Sequence, residues 1–182
     1  TFHFLRQQRT KTSENPHISL ADFIAPKEIG KFDTFGSFVV TAGKEVDEYA
    51  EYYEKKKDDY TAIMIKALGD RFAEAFAEKL HKDIREQQID LKEETNTDDL
   101  IKEKYQGIRP APGYPACPDH SEKRKIWNLL EVKKNIGAEL TENCAISPPS
   151  SIAGYYFFHE QAKYFSVGNI EKDQFNHYIK RR

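Results

Sequence analysis

Gly107-Ile108-Arg109-Pro110-Ala111-Pro112-Gly113-Tyr114-Pro115-Ala116-Cys117-Pro118 is the stretch that divides this chain. Four of the nine residues from Pro110 to Pro118 are proline. Proline fixes φ and removes a backbone donor, so neither a helix nor a paired central strand survives there. Before it, Gly36 to Ala42 is rich in β-formers and reads as a strand ended by Gly43. Val46, Tyr49, Ala50 and Tyr53 repeat at three and four, which predicts a short amphipathic helix. A longer helix is predicted from Asp59 to Glu86, where Tyr60, Ile63, Met64, Ala67, Leu68, Phe72, Ala75, Phe76 and Ile84 mark one broad apolar stripe. Asp58 or Asp59 suits its N-cap. Gly69 weakens a helix interior by ~1 kcal/mol relative to Ala, so it points to close packing, joined by the small Ala73 and Ala77. Residues 87–98 read as a polar, acidic solvent loop, and Asp98 to Tyr105 as one or two helical turns.

After the proline stretch, Asp119-His120-Ser121-Glu122 resembles a capping box. It opens a helix with Ile126, Trp127, Leu130 and Ile136 on its buried face and Gly137 at its C-terminal end. Ser147 to Ser151 is a turn or loop. Residues 152–158 and 163–170 are two aromatic-rich β runs, and Glu160-Gln161-Ala162 between them suits a hairpin. The tail from Glu171 reads as a helix with Phe175, Tyr178 and Ile179 inward. At the other end residues 1–30 are irregular, with Phe2, Phe4 and Leu5 buried and Ser19 to Pro26 a loop with apolar anchors. There is no internal repeat, and strands and helices do not alternate. The expectation is an α+β fold: a single domain with a mostly antiparallel, twisted sheet flanked by helices.

The 182 residues favour one domain. Mean hydropathy is low, at -0.77, but 12 Phe, 10 Tyr and one Trp supply bulk for a core. A net charge of -2 gives no global attraction to nucleic acid or anionic membrane. The basic Lys180-Arg181-Arg182 reads as a solvated chain end. Cys117 and Cys144 do not make a disulfide framework, so reduced thiols and a cytoplasmic setting are expected. No apolar run approaches the roughly 20 residues that span a bilayer. The chain opens on Thr1 without an initiator Met, which suggests a fragment.

Candidate chemistry begins with absences. There is no G-x-G-x-x-G, no Walker A sequence and no G-x-S-x-G elbow, and two cysteines cannot supply a three-cysteine radical centre. Cys117 and His120 lack a third ligand at any familiar metal spacing. The loop from Arg109 to Pro115 stands apart. Its prolines stiffen the backbone, Gly113 permits φ > 0 or a close approach, Arg109 offers a planar fork for a carboxylate, and Tyr114 offers a flat face with a hydroxyl. Two readings stay open: a site for a small zwitterion with an aromatic ring, or a rigid turn whose Arg pairs with a local Glu. Glu74 and Glu103 are either solvated surface charges or carboxylates near a positive ligand centre. Tyr164 and Phe165 are either core or ligand contacts.

The stretch from Arg109 to Pro115 resembles the R-x-x-x-G-Y motif of the activation domain of cobalamin-dependent methionine synthase. The likeness runs back through Tyr105-Gln106-Gly107-Ile108 and on through Ala116 to His120 and Glu122-Lys123. It extends to Leu20 to Pro26, Met64 to Glu78, Leu140-Thr141-Glu142 and Lys163 to Gly168. These ordered blocks cover nearly the whole chain, residues 1–182. The resemblance implies a module that binds S-adenosylmethionine as methyl donor for reductive remethylation of inactive cobalamin held by another domain. It thereby supports methyl transfer from methyltetrahydrofolate to homocysteine. The implied partners are the cobalamin-binding domain of the same enzyme and a flavodoxin or flavodoxin-like reductase. It further implies that Arg109 holds the methionine carboxylate, that Ala111, Gly113 and Tyr114 line the ligand, that Tyr164 and Phe165 flank it, and that Glu74 and Glu103 sit on the sulfonium or amine side. His120 faces the corrin or is structural. Family members also carry an Asp in a segment resembling Asp-Trp-Thr-Pro-Phe-Phe, expected upstream of Thr1, and continue past Arg182. The stretch from Gln87 to Asn96 departs from the family, without its aromatic run. Two other classes stay open: an interaction module that docks a corrinoid protein or a flavodoxin without a ligand of its own, and a structural domain with a rigid proline loop.

Overall fold

A computed structural model describes residues 1–8, 16–88 and 96–182. Its centre is a two-stranded antiparallel ribbon. Strand β1 (Gly36–Thr41) pairs with the last strand, β4 (Ser151–Tyr156), in a register that sets Gly36 opposite Tyr156 and Thr41 opposite Ser151. Side chains alternate across a strand, so the ribbon has two faces. Phe38, Val40 and Tyr156 pack on one side with Ala77, Leu80 and Ile84. Ala153, Tyr155 and Phe157 pack on the other with Leu20, Phe23, Ile126 and Trp127.

Helix α2 (Asp59–Gln88) lies on the first face, and helix α1 (Glu45–Lys55) packs against α2. The Asp58 side chain accepts from the Thr61 N–H at 3.1 Å, so the expected cap is present. Gly69 does mark a close approach: a Cβ there would lie 2.6 Å from Val46 and 2.9 Å from the Ser150 hydroxyl. Ala73 and Ala77 are buried beside it in the helix's inner face.

The apolar stripe of α2 departs from what amphipathic helices ordinarily do. Met64, Leu68, Phe72 and Phe76, a row at i+4 steps, all face solvent, Phe72 at 69% exposure. Up to Ala77 the helix buries its small residues instead, Ala73 at 1%, while beyond it Leu80, His81, Ile84 and Arg85 turn inward. The reason is steric. Where α2 comes close to α1 and the ribbon there is room for glycine and alanine, so the larger side chains turn outward.

After helix α3 (Thr97–Ile101) the chain runs into the proline stretch. Of the polar loop expected over 87–98, residues 87 and 88 end α2, 97 and 98 open α3, and 89–95 lie outside the described residues. A 3-10 turn at His120–Glu122 follows, with the Asp119 side chain accepting from the Ser121 N–H at 2.9 Å. The helix expected to run on to Gly137 is two: α4 (Lys123–Leu129) and α5 (Val132–Ile136), broken at Glu131, whose φ is 45°. Ile126 and Trp127 are buried as expected, while Ile136 is exposed. Strands β2 (Glu139–Leu140) and β3 (Ile146–Ser147) form a small antiparallel pair. The fold is thus α+β with small antiparallel sheets. Leu20–Phe23 is a 3-10 turn, with a reciprocal Ser19–Asp22 cap, rather than a plain loop.

Two expectations fail near the C-terminus. Residues 163–170 do not form the second strand of a hairpin, although the connecting turn exists, the Ala162 N–H donating to the His159 carbonyl at 2.9 Å. The end of β4 has no free edge. One side is paired to β1, and the other meets the proline stretch through Ile108 opposite Phe157 and through the Tyr155 N–H, which donates to the Pro110 carbonyl at 2.9 Å. The segment therefore crosses to the loop, where the Val167 N–H donates to the Pro115 carbonyl at 2.8 Å. In helix α6 (Lys172–Arg181), only Tyr178 of the three inward candidates is buried; Phe175 and Ile179 are exposed. This helix is pinned by polar contacts, including Gln174 to the Arg6 backbone and to Gln8, and offers no broad apolar face inward. Beneath it Glu122 is fully buried, accepting from Lys125 at 2.7 Å, Tyr178 at 3.3 Å and the His3 N–H at 3.4 Å.

Candidate functional site

The proline stretch, α2 and the segment after the Ala162 turn enclose a cleft of about 780 Å³. Helix α2 contributes Asp70, Ala73, Glu74 and Ala77, spaced at three and four so that they share a face. The loop contributes Arg109, Pro110, Ala111 and Tyr114. Tyr164 and Phe165 form the opposite wall, and Phe38 and Ile152 of the ribbon form an apolar floor. The loop is tied at several points. Besides the bonds to Tyr155 and Val167, the Gly113 N–H donates to the Cys117 carbonyl at 2.7 Å and the Cys117 N–H to the Tyr114 carbonyl at 2.9 Å.

Arg109 is the best-held side chain in the cleft. Its Nη2 lies 2.8 Å from Glu78 Oε2 and 3.3 Å from Glu103 Oε1. Its Nη1 donates to the Tyr105 hydroxyl and sits 3.5 Å from His81 Nδ1. The Tyr105 hydroxyl in turn donates to Glu78 Oε2 at 3.1 Å. The Arg109 backbone N–H donates to the Tyr164 hydroxyl at 3.2 Å, joining the two walls. Burial pulls the Arg109 pKa down, but Tyr105, Glu78 and Tyr164 outweigh it and the net shift is upward. Burial, aided by Arg85 and Arg109, lowers the His81 pKa to about 3, so this ring is neutral. Burial pushes the Tyr105 and Tyr164 hydroxyls up, which keeps them protonated.

The cleft thus brings together Arg109, Ala111, Tyr114, Tyr164, Phe165 and Glu74. Glu74 sits at the rim, paired to Arg71 at 2.6 Å on the surface. Glu103 is not among the lining residues; it reaches the cluster through Arg109 and has φ 50°. Gly113 and His120 lie outside the lining. Gly113 adopts φ 98°, and a Cβ on it would overlap the His120 ring, so the two pack together behind the loop. His120 Nδ1 is 2.8 Å from Lys123 Nζ. Cys117 is buried, which together with Glu122 and Asp119 pushes its thiol up to about 12; it is packing rather than a nucleophile. Sequence reasoning missed Glu78, Tyr105 and His81. Their signal was spacing: Glu78 lies one helical turn beyond Glu74, His81 three residues further, and Tyr105 four residues before Arg109. A half-buried arginine needs a counter-charge from such neighbours.

A cation, carboxylates on the facing helix, aromatic walls and an apolar floor suit a zwitterion joined to a flat group. The sequence matches, over residues 1–182, the family model described as "Vitamin B12 dependent methionine synthase, activation domain". The chain belongs to that activation-domain family. A solved structure described as "Crystal Structure of the MetH Reactivation Domain bound to AdoHcy" is 50% identical, with a TM-score of 0.95. The match covers 98% of this chain and 55% of that one, so the chain spans about half the length of this solved relative of the activation domain. Among the described residues of this activation-domain chain, no helix is long and apolar enough to cross a membrane.

Proposed function

We propose that this chain binds S-adenosylmethionine in the cleft, as part of the reactivation machinery of cobalamin-dependent methionine synthase, a methyltransferase. The observation that carries the reading is the held Arg109 fork, opening on a cleft with carboxylates across from it. The donor set fits the ligand. Arg109 takes the carboxylate, Glu103 and Glu74 the ammonium and sulfonium side, and Tyr114, Tyr164 and Phe165 cover the apolar and cationic faces. Ala111 and Gly113 let the loop backbone approach, while His120 takes its structural alternative, supporting Gly113 from behind. The MetH reactivation domain, described as bound to AdoHcy, supports the same ligand class here.

S-adenosylmethionine supplies an electrophilic methyl group, used in reductive remethylation of inactive cobalamin. This chain's residues bind and orient; methyl transfer needs positioning more than acid–base help, and His81, with its pKa lowered to about 3, is a very weak base while the buried Cys117 thiol stays protonated. The partners are the cobalamin-binding domain and a flavodoxin-like reductase, in the cytoplasm. Calorimetric titration of S-adenosylmethionine tests the reading. Arg109→Ala is expected to weaken binding by about 2 kcal/mol, some thirtyfold, the range of a lost hydrogen-bonded charge contact. Equal affinity in the variant sinks the assignment.

A further inference from the structure

We infer that Glu78 and Tyr105 are positioning residues that fix the Arg109 guanidinium for the ligand's carboxylate, an inference that rests on the reading that Arg109 takes that group. An arginine side chain has many rotamers, so an untethered fork pointing into a cleft would need ordering each time a ligand arrived. Here it is already ordered. Glu78 holds Nη2 at 2.8 Å and the Tyr105 hydroxyl holds Nη1, and that hydroxyl also donates to the same Glu78 oxygen at 3.1 Å. The three groups close a ring of hydrogen bonds that restrains the guanidinium plane.

Both supports are rigid. Glu78 projects from α2 with its side chain 18% exposed, against 41% for Glu103, the other acid on Nη2. Tyr105 is clamped in turn: the Arg85 guanidinium lies 3.6 Å over its ring, and the His81 ring meets it edge-on at 5.4 Å. Of the five N–H donors of an arginine, the four on the terminal nitrogens face Glu78 and Glu103 at Nη2, and Tyr105 and His81 Nδ1 at Nη1. A carboxylate that takes over the Glu103 contact leaves the ring with Glu78 and Tyr105 intact. Glu103, longer in contact and nearer solvent, is the acid that an incoming zwitterion rearranges; Glu78 is the one that stays.

The test compares two ligands on the 182-residue chain: S-adenosylhomocysteine, which carries the carboxylate, and 5′-methylthioadenosine, which lacks it. Glu78→Gln and Tyr105→Phe keep shape and are checked for an unaltered near-ultraviolet spectrum. Loss of charge at Glu78 is expected to weaken S-adenosylhomocysteine about tenfold, and loss of the Tyr105 hydroxyl about threefold, in keeping with one charged and one neutral hydrogen bond. Affinity for 5′-methylthioadenosine is expected to hold within about twofold, which a merely structural defect would not allow. Arg109→Ala separates the two levels. If it spares S-adenosylhomocysteine, or if the unaltered chain does not bind that ligand, the underlying reading falls. If it weakens that ligand while both conservative variants bind normally, or weaken both ligands alike, the positioning role falls alone. Should Glu78→Gln not fold, Tyr105→Phe decides by the same two affinities.

Discussion

Two networks of buried charge lie at the two ends of the proline-rich loop. At its start, Arg109 is bound to Glu78, Glu103 and Tyr105. Beyond its end, Glu122 is bound to Lys125, Tyr178 and the His3 backbone, with Asp119 accepting from Tyr178 at 2.8 Å. Their ingredients are alike: acid, base and tyrosine hydroxyl. Their surroundings differ. The Glu122 carboxylate is fully buried and ties together the chain's beginning, helix α4 and helix α6. The Arg109 network forms one wall of a cleft. Burial of charge therefore does not mark the site; a charged group held rigid beside empty space does.

The largest effect is expected at the structural end. Glu122→Ala is expected to lower unfolding stability by about 3 kcal/mol or more, since it strands buried donors, while the folded fraction binds S-adenosylmethionine as before. Urea melts and calorimetry measure the two; a large affinity change would erase the distinction between the networks. Next in size is the loop between them. Gly113→Ala faces both a positive φ and the His120 ring, and is expected to cost about 2 kcal/mol. Pairing it with His120→Ala should recover the steric part in thermal melts and leave the backbone part.

A pH series sharpens the site end. The folded His81 stays neutral down to about 3, whereas an unfolded histidine takes up its proton near 6.5. The unfolded state thus binds more protons in this window, and stability falls as pH drops through it. From pH 6.5 to 5.5 the loss is about 1 kcal/mol, and a His81→Gln variant should lack that slope in denaturant melts. The smallest effect belongs to the outer side of the same helix. Phe72→Ser is expected to alter stability by less than about 0.5 kcal/mol, because the ring is solvent-facing. A larger loss would mean that the exposed row packs in solution.

Much of this was legible from residues alone. β-branched and aromatic residues placed β1, three-and-four spacing placed α1 and α2, and Asp58 and Asp119 cap where their neighbours suggest. Gly69 announced a close approach, and the loop singled out for Arg109 and Tyr114 lines the cleft, its Arg paired with Glu78 and Glu103. What was not legible depends on long-range competition. Nothing within 163–170 says that both edges of β4 near Tyr155 are already taken. Nothing within α2 says that its alanines, rather than its phenylalanines, meet the ribbon; that follows from how near the helix comes. Phe175 and Ile179 have the spacing of a buried face, yet α6 is held by Tyr178 and by the polar contacts of Asp173 and Gln174. Glu78 drew no role from its neighbours in sequence because its partner lies 31 positions away.

The loop from Ile108 to Cys117 is fastened to β4, to the segment at Val167 and to itself. A segment fastened in this way has given up its disorder during folding. A molecule docking against it meets a finished surface, so the heat capacity of association should track only the area covered, without the added drop of coupled folding. Its on-rate should be governed by diffusion and charge, with no slow step of loop closure ahead of it.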